Sequence, residues 1–192
     1  VLTGSDDVSD DIKVVGSHVV KVLGLDGADT LTGGTGDDTL TGSGGNDVID
    51  GSVGADTIDG DAGDDVLYGD AGNDVIDGGA DADTITGGAG ADTITGGADS
   101  DVAIFAGNQA DYTFASSADG LTVTVKEVST GYQDTVTEVE TLRFDDGDIG
   151  VSREGSILVL TGANDVTDDI KIVGSYAVKV LGLDGADTIT GG

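Results

Sequence analysis

Residues 60–77 read GDAGDDVLYGDAGNDVID, which is two consecutive copies of one nine-residue pattern. Followed outward in both directions, the pattern fills residues 24–104 with nine blocks and no gap. Gly occupies the first place and Asp the sixth place of every block, and the eighth place is Leu or Ile in eight of the nine. The sixth-place aspartates are Asp29, Asp38, Asp47, Asp56, Asp65, Asp74, Asp83, Asp92 and Asp101.

Each block predicts a turn of six residues followed by a strand of three. Glycines permit the positive φ angles of a sharp turn, and a short strand points its middle residue to one side. Two blocks then form one coil, with two strands facing each other across a thin core of Leu and Ile. The fourth place is Gly except at Asp81 and Asp99. At these two positions we expect local strain rather than failure of the turn, because Asp tolerates a left-handed backbone better than most residues.

The pattern resembles the RTX nonapeptide G-G-x-G-x-D-x-U-x, a Ca²⁺-binding β-helix repeat, over about two fifths of the chain. The resemblance implies an all-β fold, a right-handed parallel β-roll. It also implies that sixth-place carboxylates of blocks i and i+2, with turn carbonyls, enclose one Ca²⁺ between successive loops. The implied metal ligands are the nine sixth-place aspartates and Asp187, which lies in a partial repeat at the end of the chain.

Composition agrees with a calcium-binding role. The chain has 38 acidic and 7 basic residues, a formal charge of −31, and residues 24–104 contain 19 Asp and no basic residue. Such a charge disfavours nucleic acid and anionic membranes as partners. Nine blocks give about seven i/i+2 pairs, so we expect on the order of seven ions. One apolar side chain per block is a small core, so we expect the metal-free segment to be disordered and metal binding to supply the folding free energy.

A longer repeat encloses the short one. Residues 1–34 and 159–192 align without a gap at an offset of 158 residues, and seven of the 34 positions differ. The sequence is therefore one 158-residue unit plus the opening of the next, and we expect a parent protein built as a tandem array that extends beyond Val1. His18, the one histidine, is Tyr176 in the second copy, so we interpret it as structural.

The rest of the unit divides into three predicted segments. Residues 1–23 are interpreted as opening strands of the solenoid, from the runs 12–15 and 19–23. Residues 105–158 hold five of the seven aromatic residues and are predicted to form a small antiparallel β module, with a half-buried strand at Leu121, Val123 and Val125 and one bulged strand over 135–144. Residues 159–192 begin the next unit. The acidic residues Asp6, Asp7, Asp10 and Asp11 could bind a further ion, which the sequence leaves open.

Two hypotheses for function follow, and neither is enzymatic for this segment. The first is a calcium-dependent structural repeat of a large extracellular bacterial protein, such as an adhesin stalk, a surface layer or a filament, with neighbouring units as partners and self-assembly left open. The alternative is an accessory folding and export module of a type I-secreted enzyme such as a protease, lipase or epimerase. The near-identical 158-residue repeat favours the first.

Overall fold

A computed structural model describes residues 1–5, 8–154, 156–163, 169–174, 178–182 and 188–190. These residues form 21 strands and one 3₁₀ turn, Gln109–Asp111. The strands are β1 (Leu2–Thr3), β2 (Asp11–Lys13), β3 (Lys21–Asp26), β4 (Thr30–Thr32), β5 (Thr39–Gly44), β6 (Val48–Asp50), β7 (Thr57–Ala62), β8 (Val66–Ala71), β9 (Val75–Ala80), β10 (Thr84–Ala89), β11 (Thr93–Ala98), β12 (Val102–Ile104), β13 (Tyr112–Ser116), β14 (Thr122–Glu127), β15 (Gln133–Thr137), β16 (Thr141–Phe144), β17 (Gly147–Glu154), β18 (Ile157–Gly162), β19 (Asp169–Lys171), β20 (Val178–Leu181) and β21 (Thr188–Thr190).

The nine blocks form a parallel β-solenoid with two blocks in each coil, as predicted. Even-numbered strands β4 to β12 lie in one sheet and odd-numbered strands β3 to β11 in the other. Each strand pairs in parallel with the strand two blocks further along the chain, so that Thr57 lies beside Val75 and Ile58 beside Ile76. Strand pairing therefore repeats every two blocks, so one coil consists of two turns and two strands.

The inward-facing places follow from the alternation of side chains along a strand. The sixth, eighth and first places of the pattern face inward, and the seventh and ninth face outward. Every eighth-place side chain is at most 1% exposed, from Leu31 to Ala103. The core of each coil is therefore a single layer of Leu or Ile from two opposing strands.

The turns use positive φ at two places in each block. Outside the block 33–41, every second-place and fourth-place residue has positive φ. Asp81 (φ 77°) and Asp99 (φ 81°) adopt the left-handed backbone expected of them, and both follow a glycine at the second place, Gly79 and Gly97. Where the second place is instead occupied by a larger residue, such as Leu25 (φ 77°), the fourth place is Gly. Each turn thus keeps at least one glycine at the two left-handed places, which limits the strain.

Residues 105–158 continue both sheets of the solenoid. Strand β15 pairs in parallel with β11, and β16 pairs in parallel with β12. The antiparallel pairs β13–β14 and β14–β15 then extend one sheet, while β16–β17 and β17–β18 extend the other. The predicted antiparallel pairing is present, but it begins only after each sheet has gained one more parallel strand, β15 or β16.

Two details of the prediction for this segment are wrong. The stretch 135–144 is two strands in opposite sheets, because the chain turns at Glu138 (φ 50°) between β15 and β16. Leu121 lies outside β14 and is 48% exposed, whereas Val123 and Val125 are buried as predicted. An alternating pattern does not show where a strand begins, so it included one residue too many.

Four aromatic rings close the core at this end of the solenoid. Phe105, Tyr112, Phe114 and Phe144 lie with neighbouring ring centroids 5.2–5.9 Å apart. The Tyr112 hydroxyl donates a hydrogen bond of 2.6 Å to the Ala106 carbonyl oxygen, so its one polar group is satisfied. The cluster covers the last Leu and Ile layer with larger apolar surfaces than a further block could supply.

The opening segment and the second copy have matching strands. The predicted strands of residues 1–23 are present as β2 and β3, and β1 adds a strand that the sequence did not predict. In the first copy Leu2 pairs with Val22 and Thr3 with Leu23. In the second copy, the equivalent residues of β18 and β20 pair in the same way, Leu160 with Val180 and Thr161 with Leu181.

We expect the single-layer core to make each eighth-place side chain costly to remove. Ile58→Ala leaves a cavity that no second layer can fill, and the free energy of unfolding in calcium should fall by about 3 kcal/mol. Val75→Ala, at an outward place that is 49% exposed, is the matched control and should cost about 1 kcal/mol or less. Urea unfolding followed by circular dichroism measures both, and equal losses would contradict a core confined to the eighth place.

Candidate calcium sites

The sixth-place aspartates fill the interior of the turns. All nine are at most 2% exposed. Each carboxylate points toward the first-place glycine of its own block, on the opposite side of the same turn. A Cβ built on Gly51 would lie 2.6 Å from Asp56 Oδ2, and one on Gly69 would lie 2.5 Å from Asp74 Oδ2. The first place is therefore always Gly because any side chain there would occupy the space of the carboxylate.

A ladder of hydrogen bonds joins the carboxylates from coil to coil. In the first seven blocks, the backbone N–H of the sixth-place Asp donates to Oδ1 of the sixth-place Asp two blocks later. Seven such bonds of 2.6–3.0 Å run through the nine blocks. The predicted proximity of blocks i and i+2 is thus present at every step, in one row along each side of the solenoid.

The second oxygen of eight of the nine carboxylates has no protein partner. Oδ2 is buried and accepts no hydrogen bond in eight of the nine sixth-place aspartates, the exception being Asp38, whose Oδ2 accepts the Gly34 N–H at 2.8 Å. A buried carboxylate oxygen without a donor or cation is strongly unfavourable. A repeated row of such atoms in like-charged groups is the arrangement expected around bound cations.

Main-chain oxygen atoms share the same space. The Cβ position of Gly69 lies 2.5 Å from both Asp74 Oδ2 and the carbonyl oxygen of Gly87, the first-place glycine of the block two further on. The described residues contain no group of three or more His, Cys, Asp or Glu side chains placed to hold a metal. A cation between two coils would therefore take carboxylate oxygens from two aspartates and its other ligands from main-chain carbonyls. Such an all-oxygen, irregular donor set suits Ca²⁺ better than Mg²⁺ or a transition metal.

The electrostatics of the metal-free turns agree with this geometry. Burial raises the pKa of Asp65 to about 7, against the opposing effect of the hydrogen bond from Asp47, and the charges of Asp47 and Asp83 raise it further. Burial likewise raises the pKa of Asp47, Asp56, Asp74 and Asp83 to about 6. The turns therefore hold carboxylates that lack the positive charge they require.

Nine of the ten predicted ligands, Asp29 to Asp101, lie in these two rows, and Asp187 lies outside the described residues. The structure also locates Asp10 in the row, because the Asp10 N–H donates to Asp29 Oδ1 at 2.6 Å. Gly4 faces the Asp10 carboxylate as a first-place glycine faces its own Asp. Asp11 is exposed in β2 at an outward place, and Asp6 and Asp7 lie outside the described residues.

The two rows begin differently. The nonapeptides alone provide Asp29 with a neighbour on one side only, yet in the structure Asp10 precedes it. In the other row Val20 occupies the corresponding position, and its N–H donates to Asp38 Oδ1 at 2.8 Å. The hydrogen bond is retained there while the carboxylate is absent, so the Asp38 row begins without an acidic partner.

The fold and the oxygen-lined turns define a calcium-binding β-roll of the repeat-solenoid class. A family model described as the RTX calcium-binding nonapeptide repeat (4 copies) matches residues 23–58, 50–85, 68–103, 77–112 and 173–192, more than half of the chain. The chain belongs to the RTX calcium-binding nonapeptide repeat family.

The similarity of the chain to a solved structure is weak. The solution structure of the AlgE6R3 subunit from the Azotobacter vinelandii mannuronan C5-epimerase is 19% identical over 69% of this chain and 72% of that one, with a TM-score of 0.20. No curated protein matches the chain. In the described part of the chain, no helix has the length and apolar character needed to span a membrane.

The steric role of the first-place glycine is testable with one methyl group. Gly69→Ala should lower calcium affinity and the β content reached in calcium, because its Cβ would meet both Asp74 Oδ2 and the Gly87 carbonyl. Gly150→Ala is the matched control, since the nearest atom to its Cβ, the Thr161 carbonyl oxygen, is 3.5 Å away. Calcium titration monitored by circular dichroism compares them, and an unchanged midpoint for Gly69→Ala would contradict the assigned turn interior.

Acid should partly replace calcium in stabilising the roll. The pKa of Asp65 rises from 3.8 to about 7 in the folded, metal-free state, so that state binds more protons than the unfolded chain between these values. Its stability is therefore greatest at low pH and is lost as pH rises toward 7. Circular dichroism of calcium-free protein should show more β structure at pH 4.5 than at pH 7.5. A loss of β structure on acidification would contradict the prediction.

Proposed function

We propose that this chain is a calcium-dependent structural repeat of a large extracellular bacterial protein, with a stalk, surface-layer or filament role, in which the long tandem units stack directly on one another. Calcium ions between the coils fold each unit and stiffen the array. The proposal gives the segment no catalytic step of its own.

The observation that carries the proposal is the strand shared by consecutive units. Strand β18 pairs antiparallel with β17, the last strand of one unit, from Glu154↔Ile157 to Ile149↔Gly162. It also pairs in parallel with β20, in the second copy of the opening segment. The β18–β20 register repeats that of β1 and β3 in the equivalent residues of the two copies. One strand thus completes the first unit and starts the second, with no linker between them.

A second contact joins the units through the other sheet. Phe114 of β13 forms an isolated bridge with Ile172, and the Val173 N–H donates to the Phe114 carbonyl oxygen at 2.8 Å. Ile170 beside this bridge is fully buried. Both sheets of the first unit therefore offer strand edges to the second, and paired edges also resist association with unrelated strands.

The charge of the unit supports an extracellular, calcium-rich setting. Residues 24–104 carry 19 Asp and no Lys or Arg, and the seven steps of the ladder repeat a two-carboxylate arrangement. Seven Ca²⁺ ions would neutralise about 14 of these charges. At low calcium the charges repel and the small core cannot compensate, which favours an unfolded chain until millimolar calcium is met.

The alternative is an accessory folding and export module of a secreted enzyme. Such a module would supply the same calcium-dependent roll, so the site geometry does not distinguish the two. The near-identical repeat of residues 1–34 at 159–192 favours the structural role, because an accessory module has no need of directly stacked copies. A parent protein with many further units would support the structural role, and a separate catalytic domain would support the accessory one.

The decisive test is the shape of a three-unit array. In calcium, small-angle scattering should give a semi-rigid rod, since the nine blocks of each unit form about 4.5 coils of ~4.8 Å and add roughly 22 Å of length, plus the module. In chelator, circular dichroism should show coil and the radius of gyration should scale as that of an expanded chain. Magnesium should be a poor substitute.

Two outcomes would overturn the proposal. A full β spectrum in chelator would contradict calcium-dependent folding. Freely jointed units in calcium would contradict direct stacking through β18.

A further inference from the structure

The seven ladder steps within the roll leave Asp92 and Asp101 without a sixth-place Asp two blocks further on. Each step places Oδ2 of one Asp beside the first-place carbonyl of the block two further on, as for Asp74 Oδ2 and Gly87. For Asp92 and Asp101, no nonapeptide two blocks further on is present to supply that carbonyl. Both residues are at most 1% exposed, and neither Oδ2 has a partner. Something outside the nonapeptides must complete these two positions.

The antiparallel module supplies a carboxylate at each of them. The Asp92 N–H donates to Asp134 Oδ1 at 2.9 Å, and the Asp101 N–H donates to Glu140 Oε2 at 3.0 Å. These bonds reproduce the ladder inside the roll, although the partners are separated by far more of the chain than two blocks. Strand pairing continues in step, since Thr93 lies beside Thr135 and Val102 beside Thr141.

A main-chain oxygen lies at one of these two positions, and a cavity lies beside each. A Cβ built on Gly96 would contact the Glu138 carbonyl oxygen and would lie 2.6 Å from Asp101 Oδ2. Asp134 lines a cavity of about 320 Å³ with Gly88 and Gly90 of the turn that holds Asp92. Glu140 lines another of about 370 Å³ with Gly97. Arg153 also lines this second cavity, and its guanidinium donates to the Leu121 carbonyl at 2.9 Å.

We propose that Asp134 and Glu140 are calcium ligands that complete two further ion sites, one with Asp92 and one with Asp101, at the junction between the roll and the module. The module is then held to the roll by metal ions as well as by strand pairing. This inference rests on the proposed calcium sites of the roll and adds two ions to the seven expected there.

A shortened form of the nonapeptide explains how the module provides these groups. Residues 134–137 read DTVT and residues 140–143 read ETLR, which match the last four places of a block, D-x-U-x, with Glu replacing Asp in the second case. Their eighth-place equivalents, Val136 and Leu142, are at most 1% exposed. The glycine-rich first part of the block is absent, and the neighbouring turns of the module replace it.

The test is calcium stoichiometry on the full 192-residue chain by equilibrium dialysis and calorimetry. Asp134→Asn and Glu140→Gln should each lose one Ca²⁺ per chain, and the double variant should lose two. Glu138→Gln is the matched control, because it removes the same charge from the same segment, keeps the Glu138 carbonyl, and concerns an exposed side chain that has no part in the ladder. It should bind as many ions as the wild type.

Asp65→Asn separates this inference from the proposed function. If Asp65→Asn loses ions while Asp134→Asn and Glu140→Gln bind the wild-type number, the junction sites are wrong and the calcium ladder of the roll stands. If Asp65→Asn loses none, the proposed sites of the roll are themselves wrong. Should a junction variant not fold in calcium, Asp134→Glu and Glu140→Asp decide, since a retained carboxylate should restore both folding and stoichiometry. Failure of these two variants would overturn the inference.

Discussion

The structure depends on one unfavourable arrangement, a buried carboxylate oxygen with no protein donor, which recurs in all but one of the nine turns. Eight sixth-place aspartates share it. Desolvation and neighbouring like charges both oppose ionisation of Asp65, which is why its pKa rises to about 7. A hydrophobic core of one side chain per block cannot offset such a cost along the whole solenoid. Under the proposed function, the cation contributes to the fold as an eighth-place Leu or Ile does.

The same constraint accounts for the glycines that have no conformational reason to be there. Outside the block 33–41, fourth-place glycines serve a positive φ, and Asp81 and Asp99 show that another residue can replace them. First-place glycines do not have positive φ in the nine blocks, yet no block departs from Gly there. Their role is to leave space for the carboxylate on the other side of the turn, so the two invariant places of the pattern are two sides of one site.

Much of this could be predicted from the sequence because the repeat is regular. Nine identical spacings fix the strand, the inward places and the i/i+2 proximity of the aspartates, and all of these appear in the structure. The period does not extend into 105–158, and there one strand was predicted where two are present and Leu121 was placed on a buried face. Asp10, Asp134 and Glu140 could not be assigned from the full nonapeptide because each follows a turn of different length. Only the short signal D-x-U-x marks them, with Glu in place of Asp at residue 140. A pattern of four residues with two fixed types recurs too easily to be recognised without strand register.

The terminal coils of a solenoid differ from the interior coils in the partners available to them. The strands of each coil pair with strands of the neighbouring coils, and its sixth-place aspartates hydrogen-bond to aspartates there. A terminal coil therefore lacks both kinds of partner on one side. At one end of the roll, β15 and β16 pair with the last two strands while Asp134 and Glu140 meet the last two aspartates. At the other end, Val20 ends one row without a carboxylate, whereas Asp10 continues the other row by one step. The opening segment is thus the less acidic end of the ladder, and its second copy meets β17 and β13 through strand pairing and through an exposed ion pair between Lys179 and Glu154. In a tandem array, the calcium-dependent part of each unit would then alternate with junctions held by backbone hydrogen bonds and by buried apolar residues such as Leu158 and Ile170.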